Sequence, residues 1–135
     1  MIKHKQTIVI IGRTSGFGEA VANNSLGDAN IIHVAGLSTG LDVNDEKQTC
    51  AYFESMGAFD HRMITGGSYA LVGKVIDVDI ADAKAAFDTK FWGTINAAKP
   101  TARSLKPTRA ITVTSGMLSR KVVVNTYLKR HQYSP

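Results

Sequence analysis

The chain has 135 residues, is 44% hydrophobic and 20% charged, and carries a formal net charge of +5. That balance excludes a disordered chain, and no apolar run approaches the ~20 residues that cross a bilayer. The length fits one packed domain and not two.

The elements follow in chain order. Thr7 to Ile11 is almost wholly apolar, as a strand buried on both faces of a parallel sheet should be. Three glycines follow, and then a helical segment from about Gly16 to Leu26 that stops at Gly27. A short strand is expected at Ile31 to Val34. The next segment, AGLSTGLDVND, is too short for a parallel crossover, so no full helix and strand are expected within it. Asn44 is the expected N-cap of a second helix that places Cys50, Phe53 and Met56 inward and ends at Gly57. A strand at about His61 to Thr65 and a loop through Asp79 come next. A long helix is expected from Ile80 to Leu105, with Ile80, Ala83, Phe87, Phe91, Ile95 and Ala98 on its inner stripe and a break or kink at Pro100. A last strand is expected at Ala110 to Thr114. Strands alternating with helices predict an α/β fold, a doubly wound parallel sheet of about four or five strands with right-handed crossovers, in a single domain over residues 1–135. Residues 129–135 read as an irregular tail.

Cys50 stands alone, so the chain can form no internal disulfide, and its apolar neighbours suggest a buried, inert thiol. The four histidines lack metal-ligand spacing, and no metal site is expected. The basic residues are dispersed apart from Lys3 to Lys5 and a group at Arg120, Lys121, Lys129 and Arg130. No aromatics interleave with them as a stacking platform requires, so no nucleic acid is expected. The apolar run at Ile8 to Ile11 is too short for a secretory core, and a cytoplasmic location with no membrane partner is expected.

The glycines carry the chemistry. Gly12, Gly16 and Gly18 stand at the first strand-to-helix turn in the pattern G-x-x-x-G-x-G. Such a turn lets backbone amides approach a diphosphate, which then sits at the positive end of the helix. The three-residue gap between the first two glycines departs from the general dinucleotide fingerprint.

With that gap, Gly12-Arg-Thr-Ser-Gly16-Phe-Gly18 resembles the glycine motif of the short-chain dehydrogenase/reductase family, and the agreement continues in order. LDVND around Asp42 resembles the family's adenine-holding aspartate. TGG at Thr65 to Gly67 stands where the family has its N-A-G turn. FDTKFWGTINAAK resembles the family's helix signature, and ITVTSG its fifth strand with the catalytic serine, Ser115. The resemblance spans roughly residues 7 to 127 and implies a Rossmann-like fold, with a dinucleotide at the carboxyl ends of the strands. It implies that Gly12, Arg13, Thr14, Ser15, Gly16, Phe17 and Gly18 surround the pyrophosphate, Asp42 and Val43 lie near the adenine, and Gly66 and Gly67 complete the turn. The second strand ends in Ala35 to Thr39, including Ser38, and has no carboxylate for a ribose 2′-hydroxyl, while Arg13 suits a 2′-phosphate; NADP is expected over NAD.

The same resemblance implies that Ser115 orients a substrate carbonyl and that Tyr127, 12 residues later, gives or takes its proton. The family's lysine four residues beyond the tyrosine is His131 here, so Lys129, Lys90 or His131 stands in for it. Lys90 occupies the family's helix asparagine, and Thr65 the first residue of N-A-G. The family pattern runs on beyond Pro135 with a sixth and a seventh strand. The expectation is a shortened chain with an unpaired strand edge, covered by a second copy in a homo-oligomer. The implied reaction is carbonyl–alcohol interconversion on a small molecule. The alternative is a relative that only binds dinucleotide or assembles with a partner.

Overall fold

The computed structural model describes residues 5–12, 16–25, 30–66, 73–102 and 109–115. Four strands, β1 (Thr7–Ile11), β2 (Ile31–Ala35), β3 (His61–Ile64) and β4 (Ala110–Val113), form one parallel sheet in the order β2-β1-β3-β4. The helices are α1 (Phe17–Ser25), α2 (Glu46–Met56), α3 (Ile80–Phe87) and α4 (Gly93–Ala102). Between α3 and α4 lies a π turn, Asp88–Trp92, and short 3-10 turns cover Leu37–Thr39 and Val75–Asp77.

Chain direction along the sheet reverses at β1. The step from β1 to β2 goes one way and the steps to β3 and β4 go the other, so crossovers of one hand place α1 on one face and α2, α3 and α4 on the opposite face. The register aligns Ile11 with Ala35 and Ile64, and Ile64 with Val113. All four strands therefore end level, and the next residues of each, Gly12, Gly36, Thr65 and Thr114, stand in one row.

The core fills the face under α2 and α4. Val9, Ile11, Phe53, Phe59, Ile64 and Ala97 are buried together, with Val43, Tyr52, Met56 and Ile111 packed against them. Arg62 shares the inner face of β3 with Ile64 and is 1% exposed.

Several expectations are corrected. The α2 cap is Asp45, whose side chain accepts from the Gln48 amide, and not Asn44, which reaches outward to Thr89. Inside α2 the buried residues are Thr49 and Phe53; Cys50 is only half-buried. The long helix buries Ala83, Ala86, Lys90, Gly93, Ala97 and Thr101, while Ile80 and Phe91 are exposed. A stripe of mostly small residues lets the helix pack close to its neighbours, and the π turn moves the register that a uniform 3.6-residue period assumes. The helix runs on past Pro100 to Ala102 without splitting. Pro100 lies in the last turn, where one forgone ladder bond does not end the helix. The expected tail at 129–135 lies outside the described residues. No helix among the described residues is long and apolar enough to cross a membrane.

Candidate functional site

Three strand ends meet with almost no side chains between them. The Gly12 amide donates to the Ala35 carbonyl at 2.9 Å, and the amides of Thr65 and Gly66 both donate to the Ile11 carbonyl, at 2.7 and 3.2 Å. Gly12 has φ +154°, and a Cβ there would stand 2.0 Å from Thr65 Oγ1. A Cβ on Gly36 would stand 2.7 Å from the Gly12 carbonyl oxygen. This floor is thus closed to side chains, and it lies at the β1/β3 reversal point, where open α/β sheets present a crevice.

Over the same edge α1 begins. Gly16, at φ +74°, provides the left-handed turn into the helix, and the first helical bond runs from the Ala20 amide to the Gly16 carbonyl at 2.9 Å. The amides of Phe17, Gly18 and Glu19 therefore belong to the first turn, where helix geometry aims them outward. Gly18 is buried and Phe17 is 73% exposed. A smooth glycine floor beside a helix N-terminus fits the diphosphate of a dinucleotide. Arg13, Thr14, Ser15 and Gly67 lie outside the described residues.

The Asp42–Asn44 segment is held from both sides. The Asp42 amide donates to Gln48 Oε1 at 2.6 Å, and the Asp42 carboxylate accepts from the Asn44 amide at 2.9 Å. Asn96 Nδ2 donates to the Val43 carbonyl at 3.0 Å, and Asn44 Nδ2 donates to Thr89 Oγ1 at 3.2 Å. Ser38 is exposed in its 3-10 turn, and no carboxylate occurs from Ala35 to Thr39.

The π turn brings a cation to the strand ends. Its wide turn is closed by the Gly93 amide on the Asp88 carbonyl, and Thr94 Oγ1 donates to the Lys90 carbonyl at 2.5 Å. Lys90 is buried, and its Nζ donates to the Thr114 carbonyl at 2.7 Å and the Gly66 carbonyl at 3.4 Å. Burial lowers the pKa of this ammonium below its ordinary value. Ser115 follows Thr114 directly and is exposed at the same edge. The structure thus brings Gly12, Gly66, Lys90 and Ser115 to one edge of the sheet; Tyr127, Lys129 and His131 lie outside the described residues. Gly36, Thr89 and Asn96 also build this edge. Only Gly36 had a readable signal, as a glycine directly after a strand.

Elsewhere, a cleft of about 480 Å³ lies between α2 and α4, lined by Cys50, Phe53, Phe59, Lys99 and Arg109 among others, and it shares no lining residue with the cradle. No group of three His, Cys, Asp or Glu among the described residues could hold a metal.

The fold has close counterparts among solved structures. A crystal structure of a small-chain dehydrogenase is 54% identical, with a TM-score of 0.91, over 96% of this chain and 69% of that one. The chain belongs to the short-chain dehydrogenase/reductase family. A crystal structure of a small-chain dehydrogenase in complex with NADPH is likewise 54% identical, with a TM-score of 0.91, over 96% of this chain and 59% of that one. A Listeria innocua protein matches at 22% identity and a TM-score of 0.82, over 95% of this chain and 64% of that one, which shows the fold alone. No protein-family model and no curated protein matches the chain. The chain spans 59% and 69% of the length of the two dehydrogenase structures.

Proposed function

We propose that this short-chain dehydrogenase/reductase chain binds NADP(H) in the glycine cradle and interconverts a small carbonyl and its alcohol. The observation that carries the reading is the side-chain-free floor of Gly12, Gly36 and Gly66, beside an α-helix N-terminus and at the same edge of the sheet as Ser115. The NADPH complex of a structure 54% identical supports the choice of cofactor, as does the lack of a carboxylate from Ala35 to Thr39.

In this reading Arg13, Thr14, Ser15, Gly16, Phe17 and Gly18 hold the diphosphate, and Ser38 and Arg13 meet the 2′-phosphate. Asp42 and Val43 border the adenine, and Gly66 and Gly67 underlie the nicotinamide half. The nicotinamide ring, when bound, supplies or accepts the hydride. Ser115 donates a hydrogen bond to the substrate oxygen, and Tyr127 transfers its proton. A tyrosine near its ordinary pKa of ~10 is a poor base at neutral pH, so a neighbouring cation at Lys129 or His131 assists it.

Calorimetric titration with NADPH and then NADH tests the cradle, with NADPH expected to bind more tightly. Binding of neither dinucleotide overturns the proposal. Oxidation of NADPH with a panel of aldehydes and ketones then tests turnover. A second reading, dinucleotide binding without turnover, is favoured by one observation: the Lys90 ammonium is engaged with two backbone carbonyls. Titration without oxidation of NADPH by any carbonyl would select it.

A further inference from the structure

We propose that Lys90 is a positioning residue, which sets Ser115 against the cradle floor by clasping the carbonyls of Thr114 and Gly66. The inference rests on the reading of Ser115 and the cradle as one site, and it gives Lys90 a role distinct from that of a cation for the tyrosine.

Lys90 lies on a buried stripe whose other members are Ala83, Ala86, Gly93, Ala97 and Thr101. A long cation among small residues needs polar partners, because burying an unpaired ammonium is unfavourable. Among its partners are two carbonyls at the ends of neighbouring strands. Thr114 is in the row of Gly12, Gly36 and Thr65; Gly66 and Ser115 form the next row. One Nζ therefore spans from the strand end beneath the glycine floor to the residue that precedes Ser115.

The lysine is itself fixed from both sides. Thr94 Oγ1 holds its carbonyl, and the preceding residue, Thr89, accepts from Asn44 in the Asp42–Asn44 segment. The single π turn thus contacts the adenine-side segment, the floor and the Ser115 strand. An ordinary α-helical turn would move Lys90 off this line, since one residue fewer rotates the following helix by about 100°.

The test compares the wild type with Lys90→Met and Lys90→Gln by backbone amide resonances and by kinetics. Loss of the clasp should shift the amides of Gly67 and Ser115, whose peptides hold the two clasped carbonyls, while those of Thr7 to Val9 stay in place. Unmoved Gly67 and Ser115 amides overturn the inference. With a carbonyl that the wild type reduces, Lys90→Met should lower kcat by about tenfold or more, as loss of charged hydrogen bonds predicts, while the Kd for NADPH changes by less than about twofold. Lys90→Gln, which keeps a donor, should recover part of kcat. An unchanged kcat, or a Kd that weakens as much as kcat falls, also overturns it. Should Lys90→Met fail to fold, Lys90→Gln carries the same comparison. A wild type that turns over no carbonyl counts against the proposed reaction alone, because the amide shifts decide the clasp without activity.

Discussion

The Gly12 carbonyl oxygen lies 2.7 Å from the place a Cβ on Gly36 would occupy. Two successive strand ends are therefore in contact through backbone alone. Gly36→Ala must push against this backbone carbonyl, at a residue whose amide is bonded to Ala35. The expected result is a loss of about 1–3 kcal/mol in urea denaturation, from overpacking. NADPH affinity should fall by about tenfold or more as the floor rises. Gly73→Ala is the control, since a Cβ there meets nothing within 4 Å. Equal behaviour of the two variants would refute the close-packed floor.

Replacement of a charge should stabilise the core. The Arg62 guanidinium carbon lies 3.5 Å from the Phe53 ring centroid and 4.7 Å from that of Phe59. One nitrogen donates to the Ala97 carbonyl, while Nε and Nη2 are buried without a hydrogen-bond partner among the described residues. A cation–π contact contributes about 2 kcal/mol when desolvated, which is less than the several kcal/mol that burying the ion costs. Arg62→Leu is expected to raise stability by about 1–4 kcal/mol, read from thermal and urea unfolding.

The same arginine sets a pH dependence. Burial lowers its pKa from the ordinary guanidinium value to about 10. A cation whose folded pKa is lowered destabilises the fold fully below that value. As pH rises from about 10 towards the ordinary guanidinium value, the unfolded chain holds the proton longer, so stability rises from this group. The advantage of Arg62→Leu over the wild type should therefore be largest at neutral pH and narrow above pH 10. A gap that widens there would show that the buried guanidinium is not the cause.

Asn96 secures the Asp42–Asn44 segment from α4 through its bond to the Val43 carbonyl. Asn96→Ala should cost about 1 kcal/mol of stability and weaken NADPH binding about fivefold. Adenosine 2′,5′-bisphosphate, which lacks the nicotinamide half, should lose as much affinity as NADPH does. Loss confined to NADPH would place the effect elsewhere.

The parts legible in the sequence were those with local causes. β1 was recognisable from its five apolar or β-prone residues, and α2 ends at Gly57 as its glycine suggested. The glycine after β1 was legible as a close backbone contact, since a Cβ on Gly12 would meet Thr65. The buried face of the long helix was not legible: Ile80 and Phe91 look like core residues by a 3.6-residue count, yet they face outward. The π turn has tertiary partners that no local pattern reports, namely Asn44 on Thr89 and the strand ends that Lys90 reaches. Arg62 was invisible for a similar reason, since nothing in HRMI marks a cation destined for two phenyl rings. The roles of Tyr127 and Lys129 stand on family resemblance.

The outward face of the long helix carries the self-association proposal. Phe91 and Trp92 are 43% and 55% exposed and stack edge to face at 5.0 Å, with Ile80 66% exposed on the same rod. We propose that a second copy covers them. Sedimentation should show a dimer that Trp92→Ser weakens. A wild type that stays monomeric at high concentration would contradict it.

One surplus residue at Asp88–Trp92 makes the rod from Ile80 to Ala102 behave like a crankshaft. Its two ends are set at different angles, so the half facing outward and the half facing the sheet are not free to vary independently. Deleting Asp88 or Thr89 should swing Ile80, Ala83 and Ala86 around the axis by about 100° while leaving Ala97 in place. The helix is thus constrained in length more than in composition: a substitution alters one of its faces, but a one-residue change in spacing alters both at once.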